Sequence, residues 1–287
     1  MTLKFLVNKL LPTVFVLLAS ATALNAAGGE VSSHAYQLHE IMGMPITNSM
    51  LTTWVIALAL ILAVRLAVGT PQLIPTKGQA VFESVYSGLE SVMEPIVGSK
   101  LINKVLPLLI CLFLFILINN WSGLLPGVGA FGFKDAEGNL NYFFRPANSD
   151  LNTTIALAAI AMLGWLYFVL RYAGIKLLAH DLFGNKAEKD STPLPLYFFL
   201  SLVFLLVGLI EVVSIGIRPL TLSMRLFGNI LGGETLLAKI IDMLPWYVPG
   251  ALPFYLLETL VGLIQALVFT LLTAVYIGLI CNHEEEH

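Results

Sequence analysis

The sequence predicts an all-α, polytopic membrane protein: about five membrane-crossing helices plus one amphipathic surface helix. Three observations carry this. Of the 287 residues, 57% are hydrophobic and 11% charged, where a soluble domain has about a quarter charged residues. The mean hydropathy is +0.86. The apolar residues also gather into five runs, at 51–68, 101–121, 149–171, 196–242 and 251–281, each near or above the roughly 20 residues that cross a bilayer as a helix. A net charge of −3 with no basic patch gives nucleic-acid binding no support.

Residues 1–27 read as a signal peptide. Lys4 and Lys9 form a positive start, Leu10 to Ala23 an apolar stretch, and Ala23 to Ala27 a run of small residues suited to cleavage. An uncleaved first span is the other reading, but the apolar stretch is short for one. Residues 28–287 are then one membrane domain whose mature amino terminus lies outside the cytoplasm. Glu30 to Met50 is a polar arm; its His34, His39 and Glu40 are read as solvated side chains rather than a metal site.

The first span, 51–68, ends near Arg65 and is stopped by Pro71 and Pro75. Over 77–98, Val81, Phe82, Val85, Leu89, Val92, Met93 and Ile96 recur at helical spacing against Glu83, Glu90 and Glu94. This is the amphipathic helix, lying on the membrane surface or on a partner subunit. The second span closes on Asn119, Asn120 and Trp121, with the indole suited to the interface. Gly127 to Pro146 is expected as a polar loop. The third span opens with Ser149, Asp150, Asn152, Thr153 and Thr154, which fit either a helix cap or a wet polar lining. Tyr172 to Pro195 is expected as a loop. The last two segments exceed one perpendicular span, which calls for strong tilt or for breaks. Cys111 and Cys281 lie in or at the end of apolar runs and are expected to pack rather than to pair.

Charge orients the chain. Arg65, Lys77, Lys100, Lys104, Arg171, Lys176, Lys186 and Lys189 fall on one side, Lys134 and Arg145 on the other. The larger group marks the cytoplasm, and five crossings leave the carboxyl terminus there too. The final His283 to His287 spell H-E-E-E-H, a formal zinc-protease pattern. A catalytic zinc also needs a third ligand and a shaped cavity, so neither a metal nor a cofactor is expected.

The segment 196–242 carries charges that hydrocarbon disfavours: Glu211, Arg218, Arg225, Glu234 and Lys239. An Arg at mid-membrane costs about 2.5–3.5 kcal/mol on insertion scales, so it is kept for a pathway, a sensor or a counter-ion. Glu211, Arg218 and Arg225 are seven apart and form a stripe, with Asn229 four further on and Glu234 roughly opposite. No acid lies three or four residues from Arg225. Its partner must come from another segment or another chain; an intrachain ion pair with Glu258 or Glu234 is the purely structural alternative. Gly228, Gly232 and Gly233 clear the adjacent surface for a second helix. In the last segment Glu258 and Gln265 are seven apart, with Gly262 between them, and are expected to face the Glu211–Arg218–Arg225 stripe across a hairpin. Arg218 and Lys239 are expected to snorkel toward the interface.

The run Met224-Arg225-Leu226-Phe227-Gly228-Asn229, followed by Gly233-Glu234, resembles subunit a of the F-type ATP synthase, the static ion channel beside a rotating c-ring. Gln265, Glu211, Asn120 before Leu-Leu-Pro, and Ser149-Asp150-x-Asn152 fall on polar positions of that family. The resemblance runs from about Leu51 to the end. It implies a non-catalytic subunit of a bacterial-type cell inner membrane, carrying protons or sodium ions through two offset half-channels that Arg225 separates. Glu234, Glu258, Asn229, Gln265, Asp150, Asn152 and Asn120 would line the non-cytoplasmic half-channel. Glu211 and Arg218 would lie nearer the cytoplasmic exit. The implied partners are the c-ring, the b subunits of the peripheral stalk and the bilayer. Two departures stand out: acids occupy both 234 and 258, where many relatives pair a His with a Glu, and Gly123 replaces an Asp found in some. The two carboxylates could share a proton. A secondary transporter with Arg225 as substrate counter-ion is the other reading, and the lack of an internal repeat weighs against it.

Overall fold

The structure, a computed structural model, describes residues 36–41, 44–70, 72–125, 132–134, 140–142, 145–183, 194–243 and 251–281. The signal-peptide segment, His34 and the terminal H-E-E-E-H run lie outside the described residues. Among the described residues the chain is nearly all helical, and five helical stretches are long and apolar enough to cross a membrane. Strands β1 (Gln37–Ile41) and β2 (Met44–Thr47) come first, then helices α1 (Asn48–Val68), α2 (Lys77–Val97) and α3 (Ser99–Ser122). Strands β3 (Gly132–Lys134) and β4 (Leu140–Tyr142) precede α4 (Leu151–Phe168), α5 (Gly174–Phe183), α6 (Leu194–Met243) and α7 (Leu252–Cys281).

Three local differences from the sequence reading have physical causes. The polar arm and the loop after the second span each hold an antiparallel hairpin, β1–β2 and β3–β4, because hydrogen-bonded pairing satisfies backbone groups that an open loop leaves to water. The stretch expected as a loop from Tyr172 stays helical to Phe183, passing through a wider turn at Val169–Ala173. Gly174, at φ 80°, makes the break that a residue with a side chain would resist. Finally, α6 is one continuous helix of 50 residues with Pro219 inside it, so the segment does not break there. Among the described residues neither Cys111 nor Cys281 forms a disulfide. Cys111 is exposed rather than packed, because the buried face of α3 runs through Val105, Leu109, Leu112 and Ile116 and leaves position 111 outward.

Helix starts follow from capping. The Thr47 hydroxyl accepts from Met50 N and the Thr76 hydroxyl from Gln79 N, both at 3.3 Å, satisfying donors that a first turn leaves open. On α2 the buried face is Leu89, Met93 and Val97, while Val81 and Val92 are exposed. Only part of its apolar stripe is therefore covered within the chain.

Packing divides the chain into two compact units. One draws on Met1–Gly69, Phe113–Thr154 and Arg225–Leu267, the other on Thr70–Leu112, Ile155–Met224 and Val268–His287. In the first, Leu237, Ile241, Ala251 and Tyr255 form an apolar cluster, with Leu124 and Phe254 against it. In the second, Trp165 Nε1 donates to Tyr276 O at 2.8 Å, and a methyl group at Gly164 would meet the Leu108 side chain. Gly278 sits so close to the Ile96 carbonyl that any Cβ there would overlap backbone. Backbone cannot swing aside as a side-chain tip can. Gly278→Ala is expected to lower the chain's stability by about 1–3 kcal/mol, read as an earlier thermal transition of the purified complex.

Candidate functional site

The first unit contains a buried polar cluster where α1, α3 and the turn before α4 meet. The cluster forms because the sequence places short polar side chains at the ends of apolar helices. Asn48, Ser49 and Thr52 start α1, Asn119 and Asn120 end α3, and Asn148, Ser149 and Asp150 precede α4; all are buried. Asn148 Nδ2 donates to Asn120 Oδ1 at 2.7 Å, and Asn120 Nδ2 donates to Gly262 O on α7 at 3.0 Å. Trp121 Nε1 reaches Thr259 O at 3.0 Å. A methyl group at Gly262 would press on Asn120 Cβ and Trp121, so the glycine is what allows α3 and α7 this approach.

Not every atom of the cluster finds a partner. Ser49 Oγ, Asn119 Oδ1, Asn148 Oδ1 and Gln265 Nε2 are buried with no hydrogen bond among the described residues. A buried polar atom left unpaired costs about 1–3 kcal/mol. Several of them in one polar region are accommodated when water or an ion reaches them.

The hairpin of α6 and α7 supplies the rest. Asn229 Nδ2 donates to Gln265 Oε1 at 2.6 Å. Gly233 faces the Glu258 carboxylate so closely that a Cβ at 233 would overlap it. Glu258 and Gln265 thus meet the Asn229–Gly233 face of α6, not the Glu211–Arg218–Arg225 stripe that the spacing suggested. The reason is angular. The buried face of α6 runs through Leu222, Leu226, Ile230, Leu237 and Ile241, and Arg225 stands about 100° away from Leu226 around the helix.

Arg225 itself is exposed, in a stripe with Gly228, Gly232 and Leu236. Among the described residues, a Cβ added at Gly228 or Gly232 would meet nothing within 4 Å. Among the described residues Arg225 has no ion pair and no hydrogen bond, so neither Glu234 nor Glu258 serves as its salt-bridge partner.

Arg218, in the second unit, behaves differently. Its guanidinium donates to the Glu211 carboxylate and lies 4.6 Å from the centre of the Tyr276 ring. Its side chain is only 11% exposed. It packs against a ring and an acid instead of snorkelling, because a weakly hydrated planar cation suits both partners. Lys239 is exposed.

The remaining sequence candidates divide. Asp150 serves as a cap: its Oδ1 accepts from Asn152 N at 3.1 Å. Asn152 is exposed and stands outside the polar cluster. Asn120 is at the cluster's centre. The sequence reading passed over Asn148, Ser49 and above all Arg145, which it counted only as a charge on the outer side. The signal was present as Arg145-Pro-Ala-Asn-Ser-Asp150, six residues before an apolar helix that bury all but the arginine. Arg145 is half-buried, with Nε donating to Ser149 Oγ at 2.8 Å. Burial lowers the proton affinity of its guanidinium, and the carboxylates of Glu234 and then Asp150 oppose that.

The family described as ATP synthase A chain matches residues 50–278. A relative from Gloeobacter violaceus, called ATP synthase subunit a, is 36% identical over 241 residues, covering 84% of this chain and 86% of its own.

Proposed function

We propose, from the premise that the chain belongs to the ATP synthase A chain family, that it is the ion-translocating stator of the F0 motor and that Arg225 separates its two half-channels. Membership makes it a non-catalytic, multi-pass membrane subunit that associates with the c-ring and the b subunits. The finer reading rests chiefly on one observation: Arg225 is exposed in the middle of an apolar helix, and among the described residues no acid of its own chain pairs with it. A guanidinium in hydrocarbon needs an anion. Carboxylates presented in turn by a neighbouring ring would supply it.

The physics fits that role. A guanidinium stays protonated at any working pH, so it cannot pass a proton along and blocks a direct leak. At about 4 Å and an effective dielectric near 20 it attracts a carboxylate by roughly 4 kcal/mol. That is about three pKa units, enough to discharge a protonated ring carboxyl. A membrane potential contributes about 2.3 kcal/mol per charge per 100 mV, a comparable energy, so the ring is not trapped. A much stronger pair would stall it.

On this reading the polar cluster of Asn120, Asn148, Ser149 and Asp150, with Glu234, Glu258, Asn229 and Gln265, lines the non-cytoplasmic inlet. Its unpaired oxygens and amide are suited to carrying water. The Glu211–Arg218 pair belongs to the cytoplasmic outlet. The translocated ion is a proton, or sodium if the ring selects it. The length of α6 supports a steep tilt: 50 residues at 1.5 Å each make about 75 Å of helix, against roughly 30 Å of hydrocarbon.

Cross-linking tests the placement. A Gly228→Cys variant, in the assembled complex, is expected to form a disulfide with a cysteine introduced beside the ring carboxylate. Failure to cross-link there, while a cysteine at Leu163 does so, would place the ring against another face.

A further inference from the structure

In the second unit, two cations from different helices meet at one aromatic ring. On α4, Ile160, Leu163 and Tyr167 stand three and four residues apart on one face, and all are more than half exposed. One turn beyond Tyr167 comes Arg171, exposed, in the wide turn Val169–Ala173 that closes the helix. Single wide turns of this kind recur at functional sites. Near the start of α3, Lys104 is exposed as well. The two helices are brought together where Leu108 fills the space beside Gly164. Lys104 Nζ lies 4.7 Å from the centre of the Tyr172 ring, and the Arg171 guanidinium carbon lies 5.9 Å from the same point. The ring is itself anchored, stacked 6.1 Å from the ring of the buried Phe168.

We propose that Lys104, Arg171 and Tyr172 form a headgroup site for an anionic phospholipid, whose phosphodiester both cations reach and whose acyl chain lies along Ile160, Leu163 and Tyr167. A lone Lys or Arg at a helix end reaches out into water by itself. Here two like charges are gathered on one ring, which costs repulsion. Among the described residues no acid pairs with either of them. The ring attracts each cation but carries no net charge to offset the pair. A phosphodiester does. Arginine grips two of its oxygens with a planar fork, and lysine adds a point charge. Tyrosine, apolar in body and polar at its tip, suits the headgroup level. The apolar face beside the cations selects the source: a free phosphate gains nothing from Ile160, Leu163 and Tyr167, whereas an acyl chain does. This end of α3 and α4 also belongs to the cation-rich side that the charge rule gives to the cytoplasm. Anionic lipids gather there, and basic pockets between helices hold their headgroups. Nothing in this site requires Arg225 to divide two channels.

Photolabelling of the assembled complex tests the site locally. The complex, in nanodiscs of phosphatidylcholine, receives a trace of phosphatidylglycerol or of phosphatidylcholine, each with the same diazirine-bearing acyl chain. Adducts on residues 160–167 are counted by mass spectrometry relative to those on the exposed apolar face of α1 at Leu58, Ile61 and Leu62. The normalised ratio is expected to favour phosphatidylglycerol about tenfold or more. Lys104→Gln with Arg171→Gln should bring it near parity, while Lys104→Arg with Arg171→Lys keeps most of it. Tyr172→Leu, which keeps both charges but removes the ring that gathers them, should lower it about threefold or more. Inorganic phosphate, set against chloride at equal ionic strength, should leave it unchanged. Parity in the unaltered complex would mean ordinary bilayer lipid only and would overturn the proposal without any variant. A ratio unmoved by the double glutamine variant would overturn it too, and one unmoved by Tyr172→Leu would mean diffuse charge without a built site. A preference abolished by inorganic phosphate would give the cations to a free anion instead of a lipid. Should the double variant not assemble, the unaltered ratio and Tyr172→Leu decide.

Discussion

Arg225→Lys is expected to cut ATP-driven ion pumping at least about 100-fold, equivalent to roughly 2.7 kcal/mol, while the subunit still assembles with its ring. The two cations share a charge but not a chemistry. Lysine presents a compact, strongly hydrated ammonium that shifts its pKa when desolvated and can surrender a proton; arginine presents a planar fork that cannot. A lysine at 225 would therefore bind the passing carboxylate differently and could itself join the proton path. An arginine serving only as a structural ion pair would tolerate the exchange with modest loss. The exposure of Arg225, and the lack of any acid beside it among the described residues, argue against that simpler role. Fluorescence quenching in inverted vesicles, normalised to subunit content, reads the difference.

Gly232→Leu is expected to leave the yield of the folded chain unchanged and to reduce pumping tenfold or more. Among the described residues a Cβ added at 232 meets nothing within 4 Å, and leucine favours a helix over glycine by about 0.8–1 kcal/mol. A loss of pumping with the yield unchanged would then point to the face where the ring would pass. Gly278 is the internal contrast. There the added methyl overlaps the Ile96 backbone, so the harm should show in stability first. The pair separates two uses of glycine in one molecule: room for a neighbour of the same chain, and room for a neighbour from another. A Gly232→Leu complex that pumps normally would remove the ring from this face.

How far the sequence could carry these conclusions varied with the kind of signal. Apolar runs of about 20 residues announce membrane helices through bulk hydropathy alone, and the five helical stretches correspond to five such runs. Arg225 itself stands out in the sequence because a charge inside an apolar run has few explanations. Facing does not. Spacing by sevens groups Glu211, Arg218 and Arg225, yet each turn of helix drifts against that period. The side chain that meets Gln265 is Asn229, while Arg218 turns to Glu211 and the Tyr276 ring. Arg145 was the larger omission. A cation in a polar loop looks like a solvated one until Pro146 is seen wedged at Gly123 and Asn148 bonded to Asn120 across 28 residues of chain. Contacts of that range leave no periodic trace. The hairpins β1–β2 and β3–β4 were hidden for a related reason: strands of three to five residues are too short for alternation to emerge.

The claim on which the rest depends is that Arg225 stands as a barrier between two water-filled paths. It is tested most directly by passive proton conductance of vesicles carrying the complex after its ring carboxylates are blocked with a carbodiimide, so that rotation cannot carry the ion. The account predicts tight membranes with Arg225 present and a proton leak in Arg225→Ala; membranes that stay equally tight in both would contradict it.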